Sequence, residues 1–189
     1  MIKLSKGNTK LGKIWNISLI PIVDCKNCGS CKNKCYAKRA MRFPNVRKAR
    51  KNNSQIFRNN MTEAFQDIKK QLVKGKPKYF RIHVAGDILN QQHLRGWIKL
   101  CKALPDIKFL MFTKRYELTY ENIPNNLKII FSMWTGLKDT CCKGFSRAWL
   151  QDGTEDRIPE DSINCAGHCT GCLKCWNLPA NKDVVFDIH

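Results

Sequence analysis

The sequence is short of acid and has no long apolar run. Fifteen aspartates and glutamates stand against 34 lysines and arginines, a formal charge of +19. No apolar run approaches the roughly 20 residues a membrane-spanning helix needs. The opening MIKLSKGNTKLGKIW has no apolar core of a secretory signal. The expected location is therefore cytoplasmic, with no membrane span. There is no P-loop and no G-x-G-x-x-G, and no spacing suggests a Ser-His-Asp or Cys-His nucleophile. These gaps argue against a hydrolase or a nucleotide triphosphatase. Solenoid repeats are absent. The length of 189 residues, 43 % of them hydrophobic, suits a single globular domain over 1–189.

Cysteine is what the chain has in excess, with eleven. A cytosolic chain keeps thiols reduced, so closely spaced cysteines there read as metal ligands before disulfides. Eight fall in two runs. DCKNCGSCKNKC holds Cys25, Cys28, Cys31 and Cys35, spaced C-x2-C-x2-C-x3-C. CAGHCTGCLKC holds Cys165, Cys169, Cys172 and Cys175, spaced C-x3-C-x2-C-x2-C, the first spacing reversed. Zinc favours paired C-x2-C knuckles separated by a loop. The tight first spacing matches the bacterial ferredoxin run for a [4Fe–4S] cluster, although Tyr36 stands where that run has proline. Two [4Fe–4S] clusters are the leading expectation, with exchange of ligands between the runs open and zinc as the alternative. His168 lies inside the second run, where a role beside the ligands is expected. Cys101, on the apolar face of a helix, reads as a buried small hydrophobe. Cys141 and Cys142 join neither run.

The pattern along the chain is strand, helix, strand. KIWNISLIP (13–21) reads as a strand in which Trp15, Ile17 and Leu19 alternate. The basic stretch after the first run is expected to be helical in pieces, broken at Pro44. Thr62 is expected to cap a helix ending at Gly75. KYFRIHVAGD (78–87) reads as a strand and NQQHLRGWIKLCKAL (90–104) as an amphipathic helix. IKFLMFTK (107–114) and LKIIFSMW (127–134) are near-continuous apolar strands, as expected for strands buried on both faces. The link between those two is short for a crossover, leaving room for a turn or two of helix. DVVFDI (183–188) is a candidate last strand, and 135–182 reads as a metal-ordered loop region. The expected fold is α/β with a parallel sheet, open or a partial (β/α) barrel, its core in 13–134.

Sites in parallel α/β folds gather at the carboxyl ends of strands. By that rule the first strand delivers the cysteine loop, and the second delivers His83, Gly86 and Asp87. The third delivers Thr113, Lys114 and Arg115, and the fourth Ser132, Trp134 and Thr135. Gly86–Asp87 also reads as an ordinary strand-to-helix turn with Asp or Asn as the cap. Lys114 also reads as a solvated charge, and His83 as a packed core histidine.

CYA (35–37), RIHVAGD (81–87), FTK (112–114), IPNN (123–126), CTGCLKCW (169–176) and VVFDIH (184–189), with Trp97 and Pro105, resemble a family of phage-encoded proteins known as gene product eighty-eight. More distantly, CYA and AGD (85–87) resemble parts of radical S-adenosylmethionine enzymes. There a cysteine loop follows the first strand of a partial barrel, and a Gly-Gly-Glu motif ends the second. That resemblance implies a [4Fe–4S] cluster with one open iron, with S-adenosylmethionine held near Gly86, Asp87, Thr113, Lys114 and Ser132. The motif C-x3-C-x2-C is not intact here. Four cysteines on one cluster would leave no open iron. If Cys25 ligates elsewhere, Cys28, Cys31 and Cys35 would leave one.

The positive charge favours a polyanionic partner, nucleic acid first, with Tyr36, Phe43 and Phe57 interleaved as base-stacking candidates. The leading expectation is an iron–sulfur protein that binds nucleic acid. Its alternatives are a radical S-adenosylmethionine-like enzyme, a two-cluster electron carrier with an acidic redox partner, and a zinc-stapled binding protein.

Overall fold

The computed structural model describes residues 1–134 and 143–187. Seven strands form one sheet: β1 (Trp15–Asn16), β2 (Tyr79–Ile82), β3 (Lys108–Thr113), β4 (Leu127–Ser132), β5 (Ser146–Gln151), β6 (Ile163–Asn164) and β7 (Val184–Asp187). Their order is β1-β2-β3-β4-β5-β7-β6, and every pairing is parallel. β1 and β6 are the two edges, so the sheet is open. Four helices, α1 (Tyr36–Arg39), α2 (Pro44–Asn59), α3 (Met61–Gly75) and α4 (Gln91–Lys102), precede β3.

Strand alternation sorts side chains onto two faces. Phe80, Ile82, Phe109, Met111, Ile129 and Phe131 meet Phe57 of α2, Ala64, Ile68 and Leu72 of α3, and Leu94, Trp97 and Cys101 of α4. Each of these large side chains contributes about 1.5–3 kcal/mol by leaving water. The opposite face, Leu110, Ile130, Ala148 and Val184, is covered by Leu11, Trp176 and Leu178, with Cys165, Cys169 and Cys175 packed at the margin. Both faces of β3 and β4 are therefore buried, as their apolar runs require.

Several expected boundaries move. β1 is two residues long, not nine. The chain still runs beside β2, with Ile17 N donating to Arg81 O at 3.2 Å and Leu19 N to Ala85 O at 2.8 Å. β2 stops at Ile82 because His83 takes a left-handed φ of 49°. The cap of α3 is Asn60, whose side chain accepts from Glu63 N at 3.1 Å, and not Thr62. Asn60-x-x-Glu63 is a cap signature in its own right. At the other end Gly75 is required by packing: a Cβ there would lie 2.1 Å from the Trp15 ring. The β3–β4 link has no helix; Tyr116 and Tyr120 pack on Phe131 instead, at 5.8 and 5.0 Å between centroids. The largest correction is to 135–182, which holds β5 and β6 and is not only loop. Thr135, Cys141 and Cys142, and the ends of 183–188 and VVFDIH, lie outside the described residues.

His83, His93 and Trp97 form a buried polar knot between sheet and helices. The Trp97 indole N–H faces His83 Nε2 at 3.2 Å and His93 Nε2 at 3.0 Å. Leu89 N donates to His93 Nδ1 at 3.1 Å, which puts the neutral ring's proton on Nε2 and leaves His83 Nε2 as the acceptor for Trp97; a second proton, on His93 Nδ1, would face the Leu89 N–H. Burial, with the Arg81 cation adding to it, pushes His83 down to about 3, and burial lowers His93 as well. The unfolded chain binds a proton at each site below the ordinary value of 6.5, while the folded chain does not. Stability from this knot is therefore complete above that value and is lost as pH falls toward about 3. Urea unfolding followed by tryptophan fluorescence should give a slope of up to about 1.4 kcal/mol per pH unit for each imidazole. H93Q should lower stability and remove one imidazole's share of the slope. An unchanged slope in H93Q contradicts the assignment.

Candidate metal centre at the carboxyl edge and the second sheet face

The first cysteine loop leaves β1 through a tight turn built around Asp24. This buried carboxylate accepts from Ile20 N at 2.8 Å and Ser54 Oγ at 2.6 Å, and pairs with Arg58. Its backbone carbonyl accepts from Asp87 N at 2.9 Å, which ties the loop to the end of β2. Asn27 ties it to β3, donating to Lys114 O at 2.6 Å and Glu117 Oε2 at 2.7 Å. None of these anchors stood out in the sequence. Apart from Ile20, the side-chain partners of Asp24 and Asn27 lie between 30 and 90 residues away.

Asp87, next to Gly86, is hydrogen-bonded to Thr113 and Lys114. Asp87 does not cap α4; Asn90 does, accepting from His93 N at 2.9 Å. The Asp87 carboxylate instead accepts from Thr113 Oγ1 at 2.7 Å, Lys114 N at 2.8 Å and Ile88 N at 2.7 Å. Burial raises its pKa against these donors. Gly86 has φ +76°, and a Cβ there would sit 2.6 Å from Leu19 Cβ. Ser132 ends β4 one residue beyond the register partner of Thr113, and its carbonyl accepts from Tyr116 OH.

Lys114 is half-buried, its ammonium 5.5 Å from the Trp134 ring centroid. Its charge reaches Cys25 and Cys31, opposing the burial that pushes Cys25 up to about 12 and raises Cys31. The neighbouring Cys28 and Cys35 add to the rise at Cys31. Burial pushes Cys175 up to about 11 against the pull of Arg81, and Cys165, Cys169 and Cys172 add to the rise. Burial also raises Cys169, opposed by Arg81 and Lys10. His168 is exposed. All eight run cysteines are free thiols. Among the described residues, no three His, Cys, Asp or Glu side chains stand close enough as placed to hold a metal ion.

A cleft of about 740 Å³ opens beside the first loop, lined by Asp24, Lys26, Arg58, Leu89 and Arg115 among others. Its two guanidinium groups are engaged, Arg58 by Asp24 and Arg115 by Glu117 and Ile88 O. On α1, α2 and the turn between them, Lys38, Arg39, Arg42, Arg47, Lys48 and Lys51 are exposed. Tyr36 and Phe43 are half exposed beside them, whereas Phe57 is buried at 1 % and is withdrawn as a stacking residue. No helix among the described residues is long and apolar enough to cross a membrane.

A family model described as Gene product 88 matches residues 2–140. The match takes in the first cysteine run, RIHVAGD, FTK and IPNN, but neither the second run nor VVFDIH. No curated protein and no solved structure matches the chain.

D87A would strand the Thr113 hydroxyl and two amides, and should cost about 3 kcal/mol or more. G86A adds a methyl that overlaps Leu19 at a strained φ, and should cost about 1–3 kcal/mol. Both are read as shifts in urea midpoint; wild-type midpoints would contradict the arrangement.

Proposed function

This chain belongs to the Gene product 88 family, and we propose that it is a metal-binding protein with two four-thiolate sites, each holding a [4Fe–4S] cluster. The ligands are Cys25, Cys28, Cys31 and Cys35 in one site and Cys165, Cys169, Cys172 and Cys175 in the other. The observation that carries this reading is that all eight cysteines of the two closely spaced runs are partly buried free thiols, with Cys165, Cys169 and Cys175 packed together at the margin of one sheet face. Buried thiols pushed up in pKa are poor ligands until a metal displaces their protons, and a soft thiolate set suits iron–sulfur or zinc. A bound cluster would supply one-electron chemistry. The residues around it hold the loop: Asp24 and Asn27 fix its path, and Asp87 fixes the strand ends beneath it.

The exposed basic face of α1 and α2, with Tyr36 and Phe43, is proposed to bind nucleic acid through phosphates and base stacking. The gathering of Gly86, Asp87, Thr113 and Lys114 beside the loop supports a second reading, in which S-adenosylmethionine reaches an open iron.

Anaerobic purification with iron, sulfide and zinc quantified tests the first claim. The expected result is about eight irons per chain; zinc alone would replace the clusters with structural zinc. C28A/C31A and C169A/C172A should each remove one site's metal and expose its loop to protease. Full metal content and protease resistance in both variants overturn the assignment. An electron paramagnetic resonance spectrum that shifts on adding S-adenosylmethionine supports the second reading, and an unchanged spectrum rejects it. Affinity for DNA or RNA should fall by orders of magnitude between about 50 and 200 mM salt; salt-independent or absent binding rejects the basic-face claim.

A further inference from the structure

Arg81 is the one basic residue of β2, and alternation sends it away from the helices. Phe80 and Ile82 enter the core under α2–α4, while Tyr79 lies with Val84 and Phe112 on the other face, against Cys165, Cys169 and Cys175. The Arg81 guanidinium stacks on the Phe112 ring at 3.9 Å, on that same face. Its Nε is fully enclosed and has no hydrogen-bond partner. A guanidinium held this way costs free energy unless an anion answers it. The groups whose fields reach it are Tyr36, Cys175, Cys169 and Asp87. Tyr36 is committed, its hydroxyl donating to Val84 O at 2.7 Å, and the Asp87 carboxylate already takes three donors. The thiols of the second run are what remains.

We infer that Arg81 is the partly buried counter-charge of the second cysteine site, its orphaned Nε–H serving a sulfur of that site when metal is bound. This rests on the reading of the second run as a metal site. Arg81 acts there as a positioning residue: it touches no metal, but it favours the negative charge that four thiolates bring. The first site is served separately by Lys114, whose charge reaches Cys25 and Cys31. Lys10, whose charge also reaches Cys169, is the other cation near the second run.

Cobalt(II) is the probe, because its thiolate charge-transfer absorption reports occupancy whatever metal the protein holds in the cell. The full chain is titrated anaerobically in C28A/C31A, which leaves only the second run, with and without a change at Arg81. R81M should weaken cobalt binding there by about 10- to 100-fold. R81K keeps the charge without the Nε–H and should fall between. In C169A/C172A, which leaves only the first run, R81M should change affinity much less. Circular dichroism of each metal-free variant checks the fold, and if R81M fails to fold, R81K decides. Unchanged affinity in the second run with R81K and R81M overturns the inference, as does equal weakening at both runs. Absence of cobalt binding in C28A/C31A with Arg81 intact instead overturns the metal reading of the second run.

Discussion

A parallel sheet is stable only when both faces are kept from water, and the rest of this structure follows from how the two faces are covered. Helices α2, α3 and α4 cover one with ordinary ridges of apolar side chains. The other is covered by a C-terminal segment with little regular structure, in which Trp176 and Leu178 reach the sheet and Cys165, Cys169 and Cys175 sit at the margin. Irregular backbone gains little from its own hydrogen bonds and loses much conformational entropy when ordered. A cross-link through four side chains is an effective way to offset that loss, and metal binding to such a segment is coupled to its folding. The second cysteine run lies within that irregular segment.

The carboxyl edge follows a different rule. Buried charge there is paired or saturated with donors, as burial demands. Asp24 holds the exit from β1, and Asp87 joins the ends of β2 and β3. Between them a backbone bond from Asp87 N to Asp24 O brings the first cysteine loop over the strand ends. Asp183 does the same work on β5, accepting from Arg147 N at 2.8 Å and Trp149 Nε1 at 2.9 Å. Arg81 is the exception, a half-buried cation whose enclosed Nε–H is unanswered, stacked on Phe112 on the sheet face that carries the second run.

The central strands were legible because their apolar runs leave no other reading; α3 and α4 were legible because their apolar residues recur at helical spacing. β5, SRAWLQ, was not. Its six residues mix polar and apolar types, and its burial depends on β4 and β7 on either side. β1 and β6, of two residues each, are defined by their neighbours and carry no pattern of their own. Among candidate site residues, the two cysteine runs and the Gly86–Asp87, Thr113–Lys114 pairs could be named from spacing and strand ends. Asp24, Asn27 and Arg81 could not, since each owes its role to a partner distant in sequence.

Taken alone, the sequence determined the parallel α/β class, the two thiol runs and the basic character of the chain. These are properties of composition and short-range period, which a linear reading contains. Only the tertiary structure decided that the last strand inserts between β5 and β6, and that cysteines of the second run pack on the sheet face opposite the helices. Such matters depend on through-space distance and on what is shielded from water, and neither exists until the chain is folded.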